Sequence, residues 1–195
     1  MIKHFLFLIL SISALQSCSQ APTTTTTTKA PEQPKPVAYA SAKEGWLVDL
    51  DEAYAISVKE KKPILANFTG SDWCGWCKRM DKSTFADSTV SAYLAANFYP
   101  VKLNAEQKAD IQFNGQTFKY MDNGNGRGVH TLAYSLLEGQ MGYPCFVYLN
   151  EKYERIMISP GYKEPNDIMT ELKFAAEEHY NKTTWEKYKA EQGGK

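Results

Sequence analysis

The sequence predicts an α/β fold, in which a central β-sheet is flanked by helices, for the part of the chain that follows residue 45. Segments with helical spacing of apolar residues alternate there with short apolar runs of strand length. Two such runs, at 63–68 and 144–150, are mostly apolar and aromatic, as buried strands are. About 150 residues follow residue 45, which is enough for one hydrophobic core.

The first half of the chain supplies helices and strands in alternation. A helix at 51–61 begins with acidic residues and ends before Pro63. The strand at 63–68 leads through a Thr-Gly-Ser-Asp loop to a helix that continues over 78–85. The next two elements are a helix at 89–96 and a strand at 99–104.

The second half begins with a hairpin. Within residues 111–118, apolar and polar side chains alternate on both sides of Asn114-Gly115, a dipeptide that is a strong hairpin turn signal. A glycine-rich loop follows at 122–128. The remaining elements are a helix at 129–138 stopped by Gly139, the strand that Pro144 opens, a strand at 155–159 and a helix at 166–179.

Two cysteines separated by two residues, Cys74 and Cys77, predict the chemistry of the chain. They stand where the strand at 63–68 and its loop give way to a helix. A thiolate at a helix N-terminus is stabilised by the helix dipole and by free backbone N–H groups. Lowering a thiol pKa from about 8.5 to about 7 favours the thiolate by roughly 2 kcal/mol. We therefore expect a redox pair in which Cys74 stays exposed and attacks a partner.

The alternative interpretation of this spacing is half of a zinc site, which needs two further cysteine or histidine ligands. The other candidates are Cys145, His130 and His179, and they form no second closely spaced pair. The sequence therefore favours redox chemistry, and we expect no metal site.

Two motifs, in this order along the chain, resemble those of one known family. Phe-Thr-Gly-Ser-Asp-Trp-Cys-Gly-Trp-Cys occupies 68–77, and Gly-Tyr-Pro-Cys-Phe-Val-Tyr-Leu-Asn occupies 142–150. The first is similar to the redox motif of the thioredoxin superfamily, and closely so to that of thioredoxin-like proteins of bacterial envelopes. The second is similar to the family's cis-proline and the core strand after it. The resemblance extends over about residues 63–180, or about three fifths of the chain.

This resemblance implies a thioredoxin-like fold with a central mixed β-sheet and helices on both faces, into which a segment at about 109–128 is inserted. It also implies that Cys74 attacks the substrate disulfide, that Cys77 resolves the mixed disulfide, and that Pro144 is cis and shapes the peptide site. The expected substrate-binding residues are Trp73, Trp76 and Tyr143. Trp76 either presents a surface to the partner or shields Cys77.

Two residues depart from the family pattern and are expected to modulate the site. Asn67 stands where many thioredoxins bury an aspartate that helps deprotonate the second cysteine. An amide cannot take up that proton, so we expect Cys77 to resolve mixed disulfides more slowly than in a thioredoxin. Cys145 stands where the family more often has threonine. It is either a small apolar residue packed in the strand or a third sulfur close to the active pair.

The N-terminal segment predicts where the protein acts. Residues 1–17 have a short basic start and an apolar stretch of signal-peptide length, too short to span a bilayer. Leu-Gln-Ser-Cys at 15–18 resembles the lipobox of bacterial lipoproteins, which implies cleavage and lipidation at Cys18; the alternative is a plain secreted protein. Residues 18–45, rich in threonine and proline, are expected to form a disordered tether. The two resemblances together imply that residues 46–195 form a thioredoxin-like domain that a lipid anchors to the membrane.

Charge and composition argue against several other functions. The chain has 22 basic and 22 acidic residues and no long run of either, so we expect no nucleic-acid partner. The glycine-rich segment at 123–128 lacks the Walker spacing and a preceding core strand, which favours a connecting loop over a phosphate site. His130 is expected to make a structural hydrogen bond at a helix start rather than to carry protons.

The sequence thus predicts a thiol–disulfide oxidoreductase of the bacterial cell envelope, with its domain in the periplasm or at the cell surface. It would reduce or isomerise disulfides in exported proteins and take electrons from a membrane-embedded thiol donor, with no cofactor beyond the Cys74–Cys77 disulfide. Two alternatives stay open: a redox-inactive binding module, and a carrier that binds Cu(I) through Cys74, Cys77 and Cys145. Trp76 replaces the proline of thioredoxin itself, which leaves the direction of electron flow open.

Overall fold

The described part of the chain folds into six helices and eight strands. The computed structural model describes residues 45–124 and 126–193. The helices are α1 (Leu50–Glu60), α2 (Gly75–Lys82), α3 (Ser88–Asn97), α4 (Thr131–Leu136), α5 (Pro165–Ala176) and α6 (Trp185–Gly193). The strands are β1 (Ile64–Thr69), β2 (Tyr99–Asn104), β3 (Ile111–Phe113), β4 (Gln116–Phe118), β5 (Tyr120–Met121), β6 (Val129–His130), β7 (Cys145–Leu149) and β8 (Arg155–Pro160). Short 3₁₀ turns cover Thr84–Ala86 and His179–Asn181.

The largest sheet has the strand order β2-β1-β7-β8. Strand β1 pairs in parallel with β2 and antiparallel with β7, which in turn pairs antiparallel with β8. The expected central mixed sheet is therefore confirmed. Strand β1 lies at its centre, and all six of its residues are buried, so the loop that leaves β1 starts from a firmly held position.

Two apolar clusters cover the two faces of this sheet. Side chains of α1 and α4 pack with Ile64, Ala66 and Phe68 on one face. Side chains of α2, α3 and α5 pack on the other face with Leu65 and with Phe146 of β7. Helix α2, which carries the cysteine pair, thus lies on the face opposite to α1.

One carboxyl group is buried beneath α5. Glu171 is 4 % exposed and accepts hydrogen bonds from the Tyr148 hydroxyl at 3.0 Å and the Ser159 hydroxyl at 2.7 Å. Burial raises its pKa above the ordinary value, although these hydrogen bonds and the Lys163 ammonium, 3.9 Å away, act in the opposite direction.

Aspartates begin two of the helices. The Asp49 carboxylate accepts the N–H groups of Asp51 and Glu52, so the acidic cap expected for the first helix is confirmed and lies at Asp49. The Asp87 carboxylate caps α3 in the same way. The expected helix at 78–85 ends at Lys82, where the Ser83 hydroxyl donates to the Arg79 carbonyl and a 3₁₀ turn follows.

The predicted hairpin is confirmed, and the segment after it differs from expectation. Asn114 and Gly115 both have positive φ, at 49° and 70°, as a two-residue hairpin turn requires. The helix expected over 129–138 begins only at Thr131. Residues 129 and 130 instead form β6 and pair with β5. Beside this pairing, the Gly128 N–H donates to the Tyr120 hydroxyl at 2.6 Å.

The C-terminal part holds a helix that the sequence did not reveal. The helix expected at 166–179 covers Pro165–Ala176 and gives way to the second 3₁₀ turn. Helix α6 follows, and it packs Trp185 and Tyr188 against Phe174 of α5, with ring centroids 5.4 and 5.3 Å away.

The predicted signal peptide at 1–17, Cys18 and the tether up to residue 44 lie outside the described residues. Within the described ranges, no helix is both long and apolar enough to cross a membrane.

Candidate active site

The cysteine pair lies at the N-terminus of α2, in the turn that follows β1. Cys74 is the N-cap residue, and its Sγ accepts the N–H of Cys77 at 3.2 Å. The Cys74 N–H donates to the Ser71 carbonyl at 3.0 Å, which closes the turn. Cys74 and Cys77 form a disulfide with their Cα atoms 5.3 Å apart. The helix N-terminus therefore directs a backbone N–H group at the sulfur of Cys74, which favours its thiolate on reduction.

Both sulfurs are nearly covered in this oxidised state. Cys74 is 3 % exposed and Cys77 is 6 % exposed, so the expectation that Cys74 stays exposed is wrong here. The residues next to the pair are exposed instead: Trp73 is 51 % exposed and Trp76 is 55 % exposed. The exposed surface next to the disulfide is therefore aromatic.

Pro144 lies opposite the start of the active-site turn. The Tyr143–Pro144 peptide bond is cis, which confirms the expectation for this bond. Cys145 pairs with Phe68 in the β1–β7 register, so Pro144 comes opposite Thr69, the last residue of β1. The Pro144 carbonyl accepts the N–H of Gly161 at 2.8 Å, which fixes the proline to the end of β8.

The first exposed ring belongs to what we call the Trp73 cluster, formed by Trp73, Tyr143, Glu106 and Arg127. The Trp73 and Tyr143 ring centroids are 6.3 Å apart, and the Arg127 guanidinium carbon lies 4.9 Å from the Trp73 centroid. A Glu106 carboxylate oxygen accepts the Trp73 indole N–H at 2.8 Å and the Ser71 N–H at 3.1 Å. The Trp73 side chain is thus held from three sides.

Glu106 carries a negative charge in this cluster. Its partial burial would raise its pKa, but the hydrogen bonds from Trp73 and Ser71, together with the nearby Arg127, outweigh burial and lower the pKa. Close approach of the rings also depends on Gly70, where a Cβ atom would lie 2.8 Å from the Trp73 ring and 3.1 Å from the Tyr143 ring.

The second exposed ring belongs to the Trp76 cluster, formed by Trp76, Tyr162 and Arg79. The two ring centroids are 5.5 Å apart, and the Arg79 guanidinium carbon lies 5.3 Å from one and 4.9 Å from the other. Trp76 is therefore part of an exposed aromatic surface, which supports a contact with partners more than a role as a cover for Cys77.

A small cavity of about 80 Å³ lies beside the two sulfurs. Its wall includes both cysteines and four charged residues: Asp72, Lys78, Asp81 and Lys102. Lys102 is 3 % exposed, and its ammonium group donates to the Asp81 carboxylate. Asn67 is 2 % exposed and pairs with Lys102 in the β1–β2 register.

Cys145 and His130 lie apart from this cavity. Cys145 is fully buried in the cluster on the α1 and α4 face, and burial raises the pKa of its thiol to about 11. This placement supports its interpretation as a packed side chain. His130 is also fully buried, and its Nδ1 accepts the N–H of Leu132 at 3.3 Å, so the expected structural hydrogen bond at the helix start is confirmed.

The structure assembles residues that sequence reasoning missed. Glu106 and Arg127 join Trp73, Arg79 and Tyr162 join Trp76, and Asp81 with Lys102 joins the cysteines. Two signals were available in the sequence. Asp81 follows Cys77 by four residues on a helix, and Lys102 is a lone cation in an apolar strand. In the described part of the chain, no three His, Cys, Asp or Glu side chains come together in a group that could hold a metal ion.

Comparison with known proteins identifies the family. The model of the Thioredox_DsbH family, described as a protein of unknown function, DUF255, matches residues 37–192. The chain belongs to this family. Two solved structures share its fold: that of a DsbH oxidoreductase, with TM-score 0.50, and that of a thioredoxin-fold protein from Helicobacter pylori, with TM-score 0.52. The DsbH oxidoreductase is 22 % identical to this chain, and the match covers 76 % of this chain and 94 % of the other. The Helicobacter pylori protein is 17 % identical, and the match covers 68 % of this chain and 80 % of the other. This Thioredox_DsbH member therefore has the thioredoxin fold.

Matches to curated relatives of this Thioredox_DsbH member cover only part of each relative. Disulfide bond reductase DsbH of Chlamydia pneumoniae is 32 % identical over 77 residues, which are 40 % of this chain and 45 % of that protein. Human spermatogenesis-associated protein 20 is 25 % identical over 123 residues, which are 63 % of this chain and 14 % of that protein. The chain thus spans less than half the length of either relative.

Proposed function

We propose that this protein is a thiol–disulfide oxidoreductase of the bacterial cell envelope that reduces or isomerises disulfides in exported proteins. The observation that carries the proposal is the Cys74–Cys77 disulfide at the N-terminus of α2, in the turn opposite cis-Pro144. The name of the chlamydial relative, a disulfide bond reductase, supports reduction as the direction.

The first step forms a mixed disulfide. With the pair reduced, the Cys74 thiolate attacks one sulfur of the substrate disulfide, and the substrate S–S bond breaks as the new bond to Cys74 forms. The other substrate sulfur leaves as a thiolate. Cys74 suits this role because its sulfur accepts the N–H of Cys77 at the positive end of a helix.

The second step releases the substrate. Cys77 loses its proton and attacks the Cys74 sulfur, the mixed disulfide breaks, and the second substrate sulfur leaves as a thiolate. Two electrons have then passed to the substrate, and the protein returns to the disulfide form seen here. A dithiol donor, proposed to be embedded in the membrane, reduces the pair again by the reverse exchange.

The exposed rings around the pair support a protein substrate. Trp73 and Trp76 present apolar surface to solvent on both sides of Cys74. An extended segment of the substrate can lie along Tyr143 and Pro144 by strand addition, which brings its disulfide to Cys74. Large disulfide-bearing chains, rather than small disulfides, are therefore the proposed substrates.

Location in the envelope is proposed from the N-terminal sequence. Residues 1–17 would direct export, Cys18 would carry the lipid, and the tether at 18–45 would let the domain reach substrates away from the membrane surface. The test is metabolic labelling with a radioactive fatty acid in the native bacterium. We expect label in the wild-type protein and none in Cys18→Ser, and equal labelling of both would contradict the anchor.

The activity is tested by reduction of insulin with a dithiol donor in excess. We expect turnover by the wild-type chain and none by Cys74→Ser. Cys77→Ser should instead accumulate a mixed disulfide with substrate, visible by non-reducing electrophoresis and mass spectrometry. If the wild-type protein does not reduce insulin and the Cys77→Ser variant traps no substrate, the protein is a binding module and the proposal fails. The reduction potential of the Cys74–Cys77 couple, measured against glutathione, then gives the direction of electron flow.

A further inference from the structure

The second step of the proposed reaction requires a proton acceptor inside the protein. Cys77 is 6 % exposed, and burial without a partner disfavours the thiolate that must attack Cys74. Asn67, buried on the adjoining strand, carries an amide that cannot accept this proton. The acceptor must therefore be another group near Cys77.

Asp81 is positioned for this role by the helix. It follows Cys77 by four residues in α2, so the two side chains lie on the same helix face one turn apart. Lys102 extends from β2 to meet it, and its ammonium group donates to the Asp81 carboxylate. Because Lys102 is 3 % exposed and the Asp81 side chain 30 %, the pair is largely shielded from solvent.

The cavity connects this pair to the sulfurs. Cys77, Asp81 and Lys102 all line it, and its volume of about 80 Å³ is enough for one or two water molecules. The other charged groups that face it are Asp72, from the loop before Cys74, and Lys78 of α2, and both residues are exposed. The shielded carboxylate on this wall is thus that of Asp81, with Lys102 holding it in place.

We propose that Asp81, held by Lys102, accepts the proton of Cys77 through water in this cavity as Cys77 resolves the mixed disulfide. The S–H bond of Cys77 breaks, its proton passes to the Asp81 carboxylate, and its sulfur bonds to Cys74 as the substrate thiolate leaves. Asp81 then returns the proton to solvent or to the departing thiolate. When the disulfide is reduced, the same group supplies the proton to Cys77. The Asp81–Lys102 pair thus takes the role that a carboxylate at position 67 would have. This inference rests on the proposed function.

The two chemical steps can be timed separately with an aromatic disulfide, 5,5′-dithiobis(2-nitrobenzoate), in stopped flow. Attack by Cys74 on the reagent releases one coloured thiolate, and resolution by Cys77 releases the second. The full chain is used with Cys18→Ser, which removes a thiol outside the active pair. In Asp81→Asn we expect a first phase within about twofold of wild type and a second phase slowed about 100-fold at pH 7, in the range of general acid–base effects.

A matched control and a rescue variant separate proton transfer from structural damage. Asp167→Asn makes the same change at an exposed position of α5, and both of its phases should match wild type. Asn67→Asp places a carboxylate opposite Lys102 in the strand register. It should speed the second phase by about tenfold or more in Asp81→Asn, but by no more than about threefold in wild type, because the two carboxylates then share one role.

The outcomes distinguish this inference from the proposed function. Absence of both phases in wild type would contradict the oxidoreductase itself. A different result would overturn only the role of Asp81. In that case wild type shows both phases, and the rate of the second phase in Asp81→Asn stays within about twofold of the wild-type rate from pH 6 to pH 9. If Asp81→Asn loses its near-ultraviolet circular dichroism, the wild-type second phase is measured in D₂O instead. A slowing of about twofold is expected for a proton in flight, and no slowing would overturn the proposal.

Discussion

Removal of the Glu106 carboxylate should loosen the Trp73 cluster and destabilise the protein by a calculable amount. The carboxylate accepts two hydrogen bonds, from the Trp73 indole N–H at 2.8 Å and from the Ser71 N–H at 3.1 Å. Hydrogen bonds to charged groups contribute about 1.5–3 kcal/mol each when shielded, and solvent screening at this partly exposed position reduces that value. We therefore expect Glu106→Ala to lower the free energy of unfolding by about 1–2 kcal/mol and Glu106→Gln by about half as much.

The stabilisation by Glu106 should also depend on pH in a defined direction. Its pKa is lowered in the folded protein, so the stabilisation is present above the unfolded-state pKa of about 4.3 and is lost as the pH falls through the folded-state value. Urea unfolding of the oxidised protein between pH 3 and pH 7 measures the effect, with Glu191→Gln on α6 as an exposed control. The difference between wild type and Glu106→Gln should shrink below about pH 4.

The same variants test what Glu106 does for the substrate. The Trp73 indole N–H, followed by ¹⁵N NMR, should exchange faster with solvent in Glu106→Ala, and kcat/KM for insulin should fall more than the rate with a small aromatic disulfide. Two results would refute the role of Glu106 as a charged hydrogen-bond acceptor. One is a stability difference between wild type and Glu106→Gln that is constant from pH 3 to pH 7. The other is a free energy of unfolding for Glu106→Ala within about 0.3 kcal/mol of the wild-type value.

Three further outcomes follow from the packing. Burial raises the pKa of Glu171, so the free energy of unfolding of wild type should fall as the pH rises from about 4.3 through the folded-state pKa. Urea unfolding of Glu171→Gln should show no such fall, and the same fall in this variant would contradict the role of Glu171. A Cβ atom at Gly128 would lie 2.2 Å from the Met121 carbonyl oxygen, so Gly128→Ala should cost about 1–3 kcal/mol in thermal unfolding, and an unchanged Tm would contradict this packing. Cys145 is buried with a pKa of about 11, so iodoacetamide at pH 8 should alkylate it only after unfolding, and labelling of the native protein by mass spectrometry would contradict its burial.

Local signals in the sequence were sufficient for the elements that position the redox pair. The strand expected at 99–104 is β2, and the Asn114-Gly115 turn forms the hairpin as expected, because apolar periodicity and turn chemistry are local properties. The cysteine pair and the strand before it also predicted that Cys74 lies at a helix N-terminus, which the structure confirms. These features depend on neighbours within a few residues along the chain.

Contacts between distant segments account for what the sequence did not reveal. Strands β5 and β6 have two residues each, too few for a periodic pattern, and each is defined by its pairing with the other. Glu106 reaches Trp73 across more than thirty residues of sequence, and Lys102 reaches Asp81 across about twenty. Helix α6 has no apolar stripe of its own and depends on the aromatic ring of Phe174. Such contacts arise from the tertiary fold and leave no local pattern.

Each of the two aromatic clusters includes a residue from a segment that is distant in the sequence from the cysteine pair. Arg127 comes from the glycine-rich loop, and Tyr162 comes from the turn after β8. Substitutions in these two loops can therefore change which proteins dock without altering the Cys-Gly-Trp-Cys turn or the sheet behind it. Under the proposed function, exchange of these two loops between family members would change client choice while the electron-transfer step stays the same.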